Sequence, residues 1–328
     1  LQKFPAMALA SMKKSKPCSY EVRVPASSAN LGAGFDCFGL ALELFLTVRA
    51  TVHSDPGARS EARSSGVDGS AALPSAPEEN LILRAMRHAA ERHGLRLPPV
   101  RLAVRNRIPI AGGLGSSAAA IVAGIALGFA VCGKKLTQEN ALRLAAEMEH
   151  HADNVGAALR GGLVVSFVGA DGNVVALRKK WPKQIRVVAV TPKMTLQTAA
   201  SRAALPQAVE HAAAVHNLQR SALFLAALDD KRYDVLWDAM QDRLHQSFRQ
   251  ALIPGLAEVL AIPRMPGLLG VALSGAGPTV IALASKNFAQ IGRAIAGHFE
   301  RKGLSATVRN LAVAQEGIRV AGKPLAKN

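Results

Sequence analysis

The chain has 328 residues, enough for two ordinary domains, and 49% of them are apolar, so a sizeable core is available. It carries 40 Lys and Arg against 23 Asp and Glu, a formal net charge of +17, which favours anionic partners without choosing among nucleic acid, a nucleoside triphosphate and an acidic lipid surface. The densest basic stretch, Lys13, Lys14 and Lys16, has no interleaved aromatics, so no nucleic-acid partner is expected. Cys18, Cys37 and Cys132 form neither a CxxC pair nor an even set, which argues against a disulfide framework or structural zinc and fits a reducing, cytoplasmic setting. Residues 1–19 read as a leader with no secretory signal, because the apolar patch at Met7–Ala10 is short and flanked by lysines and Pro17.

In chain order, Tyr20–Pro25 alternates as a strand and Leu40–Val52 is a second. Residues 55–77, rich in Ser, Ala, Gly and Pro, read as a long exposed loop. Asn80 caps a predicted helix over Leu81–His93, stopped by Gly94, and Val100–Arg105 is a strand. The uncharged run between Arg107 and Lys134 contains Pro109 and a glycine cluster before a helix ending at Val131. That helix is too short to span a bilayer, so its Gly124/Gly128 pair points to a buried helix and no membrane partner. Thr137 caps a helix to about Glu149, and Leu163–Phe167 with Val174–Leu177 make a hairpin around Asp171-Gly172-Asn173. Ile185–Val190 is a strand, and 206–228 and 233–248 are amphipathic helices. Strands at Gly270–Leu273 and Val280–Ala284, a helix over Asn287–Arg301 and a strand near Ala306–Val308 complete the pattern. The order is mixed α+β. The expected division is a leader at 1–19, a first domain at 20–178, a second at 179–320 and a tail at 321–328.

The segment Pro109-Ile110-Ala111-Gly112-Gly113-Leu114-Gly115-Ser116-Ser117-Ala118-Ala119 carries the most chemistry. Glycines let the backbone approach a ligand closely, and the first N–H groups of the following helix lack intrahelical partners and favour an anion. A phosphate cradle is one reading and close helix–sheet packing by small residues is the other; neither a Walker loop nor a dinucleotide fingerprint is present. Around residue 30, Asn30 and Asp36 sit on a glycine-rich turn after a strand, which simple turn chemistry also explains. The stretch Glu149-His150-His151-Ala152-Asp153-Asn154-Val155 follows a helix end, and its histidines lack further ligands at zinc spacing.

Taken together and in order, these segments resemble the motifs of the GHMP kinase superfamily. The first, from Val24 to Asp36 with the form SxNLGxGFD, is closest to the homoserine kinases; the loop at 109–119 is similar to the second motif and Ser274-Gly275-Ala276-Gly277-Pro278-Thr279 to the third, with Ala276 where many relatives have Ser. The resemblance covers about residues 20–310. It implies a two-domain α+β architecture, with an N-terminal domain like the second domain of ribosomal protein S5 and a ferredoxin-like α/β C-terminal domain. It implies ATP as phosphate donor, bound along Pro109–Ala119 with Gly113, Gly115, Ser116 and Ser117 at the phosphates, and magnesium on Ser117 and Glu149, with Glu147 as an alternative. Asn30, Asp36, His151, Asn154, Arg202 and Arg249 then contact L-homoserine, Asp36 at the ammonium and the two arginines at the carboxylate. Ser274, Gly275 and Gly277 form the floor, and Asp153 is the candidate base. A homodimer is also implied. The rival readings are a mevalonate-type kinase of the same superfamily and a non-catalytic basic nucleic-acid-binding module.

Overall fold

Two long strands open the chain because alternation of apolar and polar side chains carries through both. β1 (Ser19–Asn30) and β2 (Gly34–Val52) pair antiparallel from Ser19 with Thr51 to Asn30 with Gly34. Along β2, Leu42, Leu44, Leu46, Val48 and Ala50 are buried while Glu43 and Arg49 are exposed, the period-two pattern of a sheet with one wet face. The computed structural model describes residues 19–55, 57–66, 74 and 76–321; the leader up to Cys18 with its basic stretch at Lys13–Lys16, part of the 55–77 loop and most of the 321–328 tail lie outside the described residues.

The first sheet has seven strands in the order β11-β1-β2-β4-β3, with β5 paired to β2 and β6 to β5. Its remaining members are β3 (Glu61–Gly66), β4 (Val100–Asn106), β5 (Leu163–Val168), β6 (Val174–Lys179) and β11 (Arg319–Ala321). β3 corrects the expectation of an unbroken loop: it runs parallel to β4, with only Ala62 fully buried. The helices α1 (Leu81–Arg92), α2 (Ser116–Val131), α3 (Gln138–Glu149) and α4 (Asp153–Arg160) cover this sheet. Asn80 caps α1 by accepting from the N–H groups of Ile82 and Leu83, and Thr137 caps α3. Every residue of α2 from Ala118 to Phe129 is buried. A Cβ on Gly124 would lie 2.4 Å from the Ile82 carbonyl oxygen, so that glycine is what lets α1 and α2 touch backbone to backbone. No helix among the described residues is long and apolar enough to cross a membrane.

The second sheet is antiparallel, β10-β7-β9-β8, built from β7 (Arg186–Pro192), β8 (Leu268–Leu273), β9 (Val280–Ala284) and β10 (Ala306–Leu311). Between β7 and β8 come α5 (Thr198–Ala203), α6 (His211–Asp229), α7 (Leu236–Ala239), α8 (Gln246–Arg249) and α9 (Leu256–Leu260); α10 (Phe288–Glu300) follows β9. The expected single helix over 233–248 is instead a 3-10 turn, α7 and α8 with a bend between them. Asp242 causes the break: its carboxylate accepts from the N–H groups of Leu244, His245 and Gln246, taking donors that a continuous helix would have used. β7 alternates between two cores. Val187 and Ala189 face the core shared with the first sheet, while Val188 and Val190 face a second core with Ile291, Ile295 and Phe299 of α10. After β10 the chain returns to the first sheet, where β11 pairs antiparallel with β1.

Candidate active site

All three sequence motifs converge on one cleft of about 300 Å³ between the sheets. Backbone bonds lace them together: Ser27 N–H donates to the Leu114 carbonyl (3.1 Å), Gly275 N–H to Ala29 (3.1 Å) and Thr279 N–H to Gly112 (3.2 Å). Ser274 Oγ donates to the Gly113 carbonyl at 2.5 Å and lies 2.8 Å from Ser28 Oγ. Ser274 is fully buried behind the loop it holds, while Gly275 and Gly277 line the cleft.

The glycine loop reaches the start of α2 through left-handed backbone at Ala111, Gly113 and Gly115 (φ 52°, 78° and 67°). A Cβ on Gly113 would lie 2.7 Å from the carbonyl oxygens of both Ser274 and Gly277. Gly115 caps α2 without a side-chain acceptor, so the first-turn N–H groups have no competing cap. Of the loop, Ile110–Gly113 and Gly115–Ser117 line the cleft; Leu114, Ala118 and Ala119 turn into the core, and Pro109 backs Gly112. The packing reading holds for one face of the loop, and the other face is open to the cleft.

Ser117 Oγ donates to Glu149 Oε1 at 2.5 Å, and both side chains line the cleft. A hydroxyl and a carboxylate form a small hard-oxygen set, which fits magnesium, an ion that keeps water and phosphate as its other ligands. Glu147 is engaged elsewhere, by Arg92 and His88, so the alternative ligand falls away. Among the described residues no group of three or more His, Cys, Asp or Glu side chains gathers as a metal cage.

Asp153 begins α4 and is 1% exposed, so the segment runs from the end of α3 at Glu149 through residues 150–152 into the start of α4. Its Oδ1 accepts from the Asn154 N–H (2.6 Å) and bonds His151 Nδ1 (2.7 Å). Asn154 Oδ1 in turn accepts from Ser27 Oγ (2.8 Å), which fixes the amide between the first and second motifs. Burial alone would lower the pKa of His151, but the bond to Asp153 and the charges of Asp153 and Glu149 outweigh it and leave the imidazole above its ordinary value.

Asn30 and Asp36 both sit in left-handed backbone (φ 73° and 52°), with Asn30 Oδ1 accepting from Asp36 N–H and Asn30 Nδ2 donating to the Gly275 carbonyl. Asp36 pairs with Arg202 from α5. Arg249, which follows the predicted helix over 233–248, is 2% exposed. It donates to the carbonyls of Ser201 and Gly275 and to His245 Nδ1. Burial, reinforced by the nearby Arg202 charge, pushes its pKa down to about 10. Leu81, Leu196 and Thr198 complete the lining without having been singled out in the sequence, since nothing distinguishes them there from ordinary helix-start and loop residues.

The fold that carries this cleft is that of the GHMP kinases, ATP-dependent enzymes: the N terminal domain of that family matches residues 80–162 and its C terminal domain residues 224–301. A homoserine kinase of Moorella thermoacetica is 42% identical over 297 residues, covering 90% of this chain and 98% of the relative. One from Deinococcus radiodurans is 43% identical, covering 80% of this chain and 83% of the relative. The crystal structure of homoserine kinase from Cytophaga hutchinsonii superposes with a TM-score of 0.80 at 28% identity, covering 96% of this chain and all of that one. The chain belongs to the homoserine kinase family.

Proposed function

We propose that this enzyme transfers the γ-phosphoryl group of ATP to the side-chain hydroxyl of L-homoserine, giving O-phospho-L-homoserine and ADP. The observation that carries the reading is the charge layout of the cleft: an uncapped helix start at one end and, at the other, one carboxylate (Asp36) with two guanidinium groups (Arg202 and Arg249). That layout matches a phosphate chain on one side and a zwitterionic amino acid on the other.

In this reading the first-turn N–H groups of α2 and the Gly113–Ser117 backbone receive phosphate oxygens. Ser117 and Glu149 would hold magnesium, which supplies charge neutralisation across the phosphates when bound. Asp36 takes the substrate ammonium, Arg202 and Arg249 the carboxylate, and Asn30, His151 and Asn154 flank the hydroxyl. Asp153 is assigned an orienting role, because its Oδ1 bonds His151 Nδ1 and accepts from the Asn154 N–H. Phosphoryl transfer of this kind depends on positioning and charge stabilisation more than on covalent chemistry by the protein. The catalytic unit is taken as residues 20–178 with the second domain over 179–320 closing the carboxylate side, working in the cytoplasm as a homodimer.

A mevalonate-type acceptor has a carboxylate but no ammonium, and would leave Asp36 facing a ligand with nothing to pair it. The test is ADP release with magnesium-ATP against homoserine, serine, threonine and mevalonate. Turnover with homoserine alone is the expected result; turnover with mevalonate would overturn the substrate assignment. Salt-sensitive nucleic-acid binding without ATP turnover would overturn the kinase reading.

A further inference from the structure

Arg249 is a buried guanidinium whose partners are all neutral: two backbone carbonyls and one imidazole nitrogen. A buried charge in this condition is poised for an anion, and its aim depends on what holds it. Of the three partners, His245 is the only side chain. It is fully buried, with Nε2 2.9 Å from the Gly32 carbonyl and Nδ1 3.0 Å from Arg249 Nη1. A carbonyl can only accept and a guanidinium can only donate. The two contacts therefore require the neutral ring with its hydrogen on Nε2 and its lone pair on Nδ1.

The ring is held on every side. Phe35 stacks on it at 5.0 Å between centroids. Asp242 fixes its backbone through the His245 N–H at 3.0 Å, while its carboxylate stands 3.7 Å from Nε2. Gly32 is packed against the Met240 backbone: at φ 84° a Cβ there would lie 2.0 Å from the Met240 carbonyl oxygen. His245 thus joins the 31–36 turn, which carries Asp36, to Arg249. It sets the spacing between the group assigned to the substrate ammonium and a group assigned to its carboxylate.

We propose that His245 is a positioning residue that acts through Arg249, as a neutral hydrogen-bond acceptor, to set homoserine binding. This rests on the homoserine kinase reading above, and wild-type turnover of homoserine is measured first, so that its absence counts against that reading and not against His245. The experiment then compares His245→Asn, whose side-chain oxygen replaces Nδ1 as acceptor, with His245→Gln, whose amide nitrogen replaces Nε2 and which leaves the Nδ1 position without an acceptor. His245→Gln is expected to raise KM for homoserine by about tenfold or more, the scale of a lost bond to a charged group, with KM for ATP unchanged. His245→Asn is expected to stay within about threefold of wild type. In an Arg249→Lys background, His245→Gln is expected to add nothing further to KM for homoserine. An unchanged KM for homoserine in His245→Gln, a parallel loss in both substrates' KM and in kcat, or full additivity with Arg249→Lys would each overturn the proposal. Should His245→Gln fold poorly, His245→Asn decides alone: a tenfold rise in its KM for homoserine would overturn it.

Discussion

Arg202 and Asp36 bind each other through two parallel bonds, Nη1 to Oδ2 at 3.1 Å and Nη2 to Oδ1 at 2.8 Å, so the charges assigned to opposite ends of the substrate neutralise one another in the open cleft. Both side chains are roughly two-fifths exposed, at 40% and 37%. A pair in that setting contributes on the order of 0–1 kcal/mol, little enough for a zwitterion to exchange partners with it. A ligand with a carboxylate alone would take Arg202 and strand Asp36.

Asp36→Asn is therefore expected to raise KM for homoserine by about tenfold or more while leaving KM for ATP alone. Steady-state kinetics with each substrate varied in turn checks this. An unchanged homoserine KM would remove Asp36 from the substrate site.

Ser117 and Glu149 face each other across 2.5 Å at the end of the cleft assigned to phosphate. Removing a group that stabilises transition-state charge commonly costs about 10² or more in turnover, and Glu149→Gln is expected to lose at least that in kcat. Because the two side chains are bonded to each other and are assigned to one magnesium site, Ser117→Ala combined with Glu149→Gln should cost clearly less than the product of the single losses. Near-normal turnover in Glu149→Gln would reject the assignment.

Gly113 has no room for a side chain, since the nearest atoms that a Cβ would strike are all backbone atoms of the third motif, and its φ is 78°. Gly113→Ala is expected to destabilise the protein by about 1–3 kcal/mol and to weaken ATP binding at the same time. Thermal unfolding with and without ATP is the measurement. A variant with wild-type melting would mean that the loop is not pinned at this point.

His151 gives a pH signature. Its pKa is raised in the folded protein from an ordinary value of 6.5, so its protonated form is the one that folding favours. The stabilisation is complete below the unfolded value and fades as pH rises through the folded one. The wild-type protein should exceed His151→Gln in unfolding free energy by more at about pH 6 than at about pH 9. Denaturant titrations across that range test the sign, and a difference that grows toward alkaline pH would contradict it.

The motifs were legible because they are dense in residues with a single physical use: glycines at positive φ, an Asn cap at residue 80, and hydroxyls at a helix start. Other features left no trace in local pattern. β3 reads Glu-Ala-Arg-Ser-Ser-Gly, with one buried side chain and no alternation to find. The break within 233–248 depends on Asp242, which in an amphipathic pattern looks like any solvent-facing acid until its carboxylate is seen closing on three backbone N–H groups. The burial of Arg249 and His245 was hidden for the same reason: it comes from the 31–36 turn and the Gly275 loop, more than two hundred residues and about two dozen residues away in sequence.

The alternation of β7 bears on how the molecule comes apart. Val187 and Ala189, with Ala272, Ile281 and Leu283, belong to the same core as the helices of the first sheet, so neither sheet can lose its packing without exposing the other's apolar face. Heat or denaturant is expected to melt the two halves in a single transition, despite a chain length at which separate domains often unfold in steps. A destabilising mutation in the core of one half is then expected to lower the melting temperature of both together.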